Sequence, residues 1–270
     1  MDPRPLGVFD SGLGGLTAVR ELRSILPSEN IIYFGDSSRV PYGGRSDEIL
    51  HRYARQDVRF LRSKGIKAIL VACGTVSTTA LPLLQQENDL PIVGVVEPTC
   101  RRALLVTKNK RIGIIATLAS IRSGAYEAAL KQLDPEVEVI GKACPLFVPL
   151  VENERFRRGD IVIETVAREY LEPLKAAGID TLILGCTHYP LLTDVIHRIM
   201  GPEVELVDAG AESARAVRDL LEGMDACADR VTGTASFYTS DRAADFQRLA
   251  TLFLGEEMTC PAEKIDITRY

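Results

Sequence analysis

Two short apolar runs end alike, and together they restrict the fold more than any other feature of the chain. Ala68-Ile-Leu-Val-Ala-Cys73-Gly-Thr75 and Thr181-Leu-Ile-Leu-Gly-Cys186-Thr187-His188 each pass from apolar residues through a cysteine to a hydroxyl residue. Each then leads into a helical pattern, Val76 to Gln86 in one case and Tyr189 to Met200 in the other. Apolar runs of this length, bounded by polar or Gly punctuation, suit strands buried on both faces of a parallel sheet. Ligands of open α/β sheets bind beyond the carboxyl ends of the strands. Both cysteines are therefore expected where chemistry occurs, each near a helix N-terminus whose dipole favours a thiolate.

The surrounding sequence repeats the same plan twice. Leu6 to Asp10 reads as a strand, Leu16 to Leu26 as a helix and Ile31 to Phe34 as a second strand ending at Gly35-Asp36. Ser37 to Gly44 reads as a loop, and Ser46 with Asp47 and Glu48 opens a helix to Lys64. A short strand is expected from Pro91 to Val96, with Glu97-Pro98 as the junction between units. The pattern then restarts. Arg111 to Ala116 matches the first strand, Thr117 and Ser120 precede a helix to Leu133, and Val137 to Ile140 with Gly141 matches Ile31 to Phe34 with Gly35. A helix follows from Asp160 to Ala177, and then the Cys186 strand. Three elements in the same order at nearly constant spacing predict an α/β fold of two similar doubly wound units related by pseudo-twofold symmetry. The first comprises residues 1–97 with 208–270 and carries Cys73; the second comprises 98–207 and carries Cys186. The elements after Asp208 return to complete one of the two halves.

Composition narrows the function classes. The apolar fraction of 46%, charged fraction of 26% and net charge of −5 fit a soluble globular protein and argue against general nucleic-acid binding. No run approaches a membrane span and no export signal opens the chain. Six dispersed cysteines with no Cys-x-x-Cys pair point to a reduced, cytoplasmic protein, and three histidines give little support for a metal site. Gly12-x-Gly14-Gly15 lacks the spacing of a dinucleotide loop and reads as tight strand-to-helix packing.

Two thiols at equivalent strand ends face each other across the seam between the halves. Such a pair has a specific use: one thiolate removes a proton while the opposite thiol delivers one to the other face of the same carbon. Asp10 and Ser11, at the end of the first strand, stand beside Cys73. Glu152, after the extended segment Cys144 to Pro149, and His188 are candidates to serve Cys186. Cys100, Cys144, Cys227 and Cys260 have no matching context and read as structural.

Phe9-Asp10-Ser11-Gly12-x-Gly14-Gly15-Leu16-Thr17, Gly35-Asp36, Pro41-Tyr42-Gly43 with Ser46, Ala72-Cys73-x-Thr75, Pro149-Leu-Val-Glu152 and Leu184-Gly-Cys186-Thr187-His188-Tyr189-Pro190-Leu191 resemble the glutamate racemase family in order and spacing, over residues 6 to 210. The resemblance implies a cofactor-independent amino-acid racemase of bacterial wall synthesis, with two α/β domains, the active site between them, and dimerisation. It implies that Cys73 and Cys186 are the acid/base thiols, that Asp10 assists Cys73, and that Glu152 and His188 assist Cys186. Ser11, Tyr42, Gly43, Gly74, Thr75 and Thr187 would line the glutamate, with Asp10 and His188. One position departs from the pattern: Gly74 stands where the family usually has asparagine. Aspartate- or hydantoin-directed siblings and a non-enzymatic two-domain binding protein are the alternatives.

Overall fold

The computed structural model describes residues 1–258 and 260–270. Its strands form two parallel sheets. The first has six, β1 (Leu6–Asp10), β2 (Ile31–Gly35), β3 (Ala68–Val71), β4 (Ile92–Gly94), β9 (Ala235–Thr239) and β10 (Glu263–Lys264), in the order β10-β9-β2-β1-β3-β4. The second has four, β5 (Arg111–Ala116), β6 (Glu138–Ala143), β7 (Thr181–Leu184) and β8 (Glu205–Asp208), in the order β6-β5-β7-β8. Strand for strand, β2-β1-β3-β4 and β6-β5-β7-β8 are the same arrangement. In each, the order reverses between the first and third strands, and the crevice beyond that switch point is where α/β sheets bind ligands. Asp10 ends β1 beside β3 and its Cys73; Thr117 follows β5 beside β7 and its Cys186.

The apolar runs became fully buried central strands, as their composition requires: β1, β3 and β7 expose no residue. Helix starts follow their capping chemistry. Asp160 accepts from the Val162 amide, Asp208 from those of Gly210 and Ala211, and Thr117 from that of Ser120. The C-terminal elements complete the first sheet, where β9 extends β2 and β10 extends β9.

Several expectations change on contact with the fold. Glu97 and Pro98 lie in the first turn of the helix Val96–Val106, where a proline's missing N–H costs nothing. The segment from Cys144 is extended only briefly: Phe147–Glu152 is a helix, with Pro149 in its first turn, so Glu152 is held by regular structure. The helix expected over 76–86 is two, Gly74–Thr79 and Leu81–Glu87, broken at Ala80 ahead of Pro82. The helix before Leu133 is likewise divided at Gly124, whose φ of 65° only glycine adopts readily. Tyr189–Leu192 is a 3-10 turn, and the α-helix proper is Thr193–Met200. Among the described residues no helix is long and apolar enough to cross a membrane.

Candidate active site

The first thiol is built from the ends of β1 and β3. Asp10 is buried, and its Oδ2 accepts from the amides of Gly12 and Gly15, 3.1 Å each, so the turn into the helix Leu16–Ile25 pins the carboxylate. Its Oδ1 is buried with no partner among the described residues. Burial raises the Asp10 carboxyl, while the charge of His188 and the amides of Gly15, Gly12 and Ser11 oppose the rise. Cys73 caps the helix Gly74–Thr79. Burial pushes its thiol well up and the neighbouring Asp10 charge adds to this; amides of Val76 and Ser11 and the Ser11 hydroxyl pull the other way.

The second thiol has a cationic partner. Cys186 Sγ lies 4.0 Å from His188 Nδ1, and His188 Nε2 lies 3.1 Å from Glu152 Oε1. Burial alone would lower the imidazole's pKa, but its hydrogen bonds to Cys186 and Glu152 and the charges on both raise it to about 10. At neutral pH His188 is therefore an imidazolium that donates from both nitrogens, towards a sulfur on one side and a carboxylate on the other. Phe253 meets its ring edge-on at 5.1 Å and closes the apolar side.

Both thiols open on one cavity of about 440 Å³. All eleven residues singled out from the sequence line it: Asp10, Ser11, Tyr42, Gly43, Cys73, Gly74, Thr75, Glu152, Cys186, Thr187 and His188. Three others deserve naming beside them. Thr117 Oγ1 lies 2.9 Å from Thr75 Oγ1, so hydroxyls from the two halves meet at the cavity wall. The repeat carries the signal for Thr117, which follows β5 as Ser11 follows β1. Cys144, read from sequence as structural, is a third thiol in the wall, and Leu118 contributes apolar surface. Among the described residues no group of three or more His, Cys, Asp or Glu is placed to hold a metal ion.

The halves touch around the cavity through small groups. The Ala119 amide donates to the Gly43 carbonyl at 3.1 Å, and the Thr17 hydroxyl to the Thr187 carbonyl at 3.2 Å. Gly74 makes a close backbone approach between the halves: a β-carbon there would stand 2.4 Å from the Gly185 carbonyl oxygen. The residue that departs from the family pattern is thus a point where the turns bearing Cys73 and Cys186 abut. Gly74→Ala adds the β-carbon and no amide, so the turns must separate by roughly 1 Å, a displacement that costs reactions of this kind up to about 10²-fold. The expected result is a fall in kcat of that order together with a lowered unfolding midpoint, because the atom met is backbone and cannot yield cheaply, measured by steady-state kinetics and thermal melts.

The chain was compared with known proteins. Residues 17–217 match the family model described as Asp/Glu/Hydantoin racemase. A glutamate racemase of Geobacter metallireducens is 47% identical over 256 residues, covering 94% of each chain. One from Thermoanaerobacter pseudethanolicus is 42% identical over the whole of both. Among solved structures, a glutamate racemase isoform from Bacillus anthracis superposes with a TM-score of 0.94 at 37% identity, covering 98% of each chain. The Francisella tularensis glutamate racemase in complex with D-glutamate gives a TM-score of 0.92 at 36% identity, over the whole of both chains.

Proposed function

This chain belongs to the Asp/Glu/hydantoin racemase family, and from that premise we propose that it interconverts L- and D-glutamate by a two-thiol proton transfer without pyridoxal phosphate, metal or nucleotide. The observation that carries the reading is the pair of buried cysteines lining one cavity from the switch points of two equivalent sheets. One sulfur takes the α-proton, negative charge develops towards the substrate carboxylate, and the opposite thiol returns a proton to the other face. Both thiols are regenerated with their roles exchanged, so atoms and charge balance over a turnover.

The two sides are chemically unequal. Cys73, raised by burial beside an acid, rests as the protonated partner. The His188 imidazolium stabilises negative charge on the Cys186 sulfur, and Glu152 holds that imidazolium in place. Asp10, in the cavity wall beside Cys73, assists that thiol and orients the substrate ammonium. Ser11, Gly74, Thr75 and Thr187, with the loop carrying Tyr42 and Gly43, supply hydroxyls and amides around the carboxylates. Donors preorganised around the substrate carboxylate stabilise the developing charge without reorganising. The same reading assigns the chain two domains, 1–97 with 208–270 and 98–207, a homodimeric state, and a cytoplasmic place supplying D-glutamate to wall synthesis.

The test is direct: each enantiomer of glutamate and of aspartate is incubated with dialysed enzyme and the products are resolved by chiral chromatography. Glutamate reaches a racemic mixture from either side and aspartate does not. A chain that racemises aspartate or a hydantoin faster than glutamate overturns the substrate assignment.

His188 adds a pH prediction. Its folded pKa of about 10 lies above the roughly 6.5 of an unfolded imidazole. The stability it contributes is therefore complete below pH 6.5 and lost as pH rises through 10. The difference in unfolding free energy between the wild type and His188→Asn should be largest at pH 6 and close by pH 10, as read by denaturant titrations at both values.

A further inference from the structure

Behind the loop that carries Tyr42 and Gly43 lies a polar cluster built around two buried carboxyls. Asp36, just past the end of β2, and Asp57, in the helix Asp47–Ser63, both have side chains with 0% exposure. A single guanidinium, Arg39, serves both: its Nε donates to Asp36 Oδ2, and its Nη2 donates to Asp57 Oδ1 at 3.0 Å. Its remaining nitrogen, Nη1, donates to Gln56 Oε1, and the group lies 4.0 Å over the Tyr53 ring. Both oxygens of Asp36 accept hydrogen bonds, Oδ1 from Ser240 at 2.8 Å and Oδ2 from Tyr42 Oη as well as from Arg39.

Counting hydrogens leaves one position open. Tyr42 has one O–H, and it is spent on Asp36. Yet Asp57 Oδ2 stands 3.3 Å from the same phenolic oxygen and has no other partner within hydrogen-bond reach among the described residues. A carboxylate there would set a buried anionic oxygen against a hydroxyl oxygen with nothing left to donate. A carboxylic acid satisfies both atoms, donating its proton to Tyr42 Oη while its other oxygen accepts from Arg39.

We propose that Asp57 is a positioning residue that stands as a neutral acid in the resting protein, and that the chain Asp57 to Tyr42 to Asp36 locks the cavity loop Val40–Gly44 in place. The functional half of this inference rests on the reading that Tyr42 and Gly43 bind the substrate. The charged and titratable groups facing Asp57 from other elements are Asp36, Arg39, Tyr42 and, from the end of β1, Asp10. Burial and the negative charge of Asp36 raise the Asp57 carboxyl well above the ordinary range, and Arg39 and Tyr42 only partly offset them.

Asparagine reproduces the pattern, with an amide oxygen for Arg39 and an amide N–H for Tyr42, whereas leucine supplies neither. Asp57→Asn should keep KM for glutamate within about twofold of wild type. Asp57→Leu should raise KM about tenfold with a smaller change in kcat, the scale of one lost buried hydrogen bond. An infrared difference spectrum, wild type minus Asp57→Asn at pH 7, should show the C=O stretch of a protonated carboxylic acid. Absence of that band, or an Asp57→Asn enzyme with the KM of Asp57→Leu, overturns the proposal. If Asp57→Leu fails to fold, the band and the asparagine variant still decide it. If the wild type does not turn over glutamate, the substrate reading fails, and the band alone decides the state of Asp57.

Discussion

Cys73→Ser and Cys186→Ser should each lose racemisation in both directions by a factor of about 10³ or more, within the range that general acid–base groups contribute. A serine hydroxyl fits the space but neither accepts a proton at neutral pH nor stabilises the anion that remains. The loss should leave the fold intact, because each cysteine lies two residues past its strand and serine differs from it by one atom of similar size. The variants should also differ from one another. Each retains one thiol, and that thiol can remove the α-proton of a single enantiomer and return solvent hydrogen to the same face. Proton NMR in D₂O should therefore show washout from one enantiomer with Cys73→Ser and from the other with Cys186→Ser. Washout from both enantiomers with either variant would mean that a group other than the thiols abstracts the proton.

The largest stability loss is expected far from the cavity, at the opposite end of the first sheet. Lys67, just before β3, and Glu29, just before β2, form an ion pair at 2.6 Å with both side chains 1% exposed. The three donors of the ammonium are all used, on Glu29, the Asp2 carbonyl at 3.0 Å and the Ala226 carbonyl at 2.7 Å. Glu29 also accepts from the Ala228 amide at 2.7 Å, so the pair ties the N-terminal segment and the 226–228 turn to the sheet. Lys67→Met leaves a buried carboxylate uncompensated and should cost about 3–5 kcal/mol, read as a Tm lower by about 10 °C. The double variant Glu29→Leu/Lys67→Met removes both charges and should recover most of the loss. A double variant no more stable than Lys67→Met would show that the pair contributes more than mutual compensation. Turnover per folded molecule should hold in all of these variants.

Much of the active site was legible because its residues sit at strand ends, where the sequence changes abruptly from apolar to small or hydroxyl residues. Cys73 and Cys186 carried that signature twice, and Asp10-Ser11 carried it at the end of β1. The pairing of the two halves was legible from repetition alone, and the equal strand orders give it a physical form. Other features depended on packing that no local pattern encodes. Cys144 looked incidental because it stands after a strand with no apolar-to-hydroxyl switch, and only the pairing of β6 with β5, continued by the Cys144 amide donating to the Ala116 carbonyl at 2.9 Å, brings it to the wall. Asp57 lies among the basic residues of its helix with no motif to mark it, and its role depends on Arg39 and Tyr42 reaching it from another element. The helix breaks at Ala80 and Gly124 were hidden for another reason. Periodicity continues across them, and the interruption comes from one proline and one left-handed glycine. Gly74 was visible as a departure, but its consequence was not, since the clash it avoids is with a carbonyl more than a hundred residues away in sequence.

The account stands on two sulfurs acting on opposite faces of one carbon, and the position of solvent deuterium early in the reaction tests that most directly. L-Glutamate is incubated with the wild-type enzyme in D₂O, quenched at a few per cent conversion, and both enantiomers are isolated for mass spectrometry. Two opposed thiols predict deuterium in nearly every molecule of D-glutamate formed and almost none in the L-glutamate recovered, with the mirror result when the reaction starts from D-glutamate. Equal labelling of recovered substrate and product would mean that a single group removes and returns the proton, and would contradict the account.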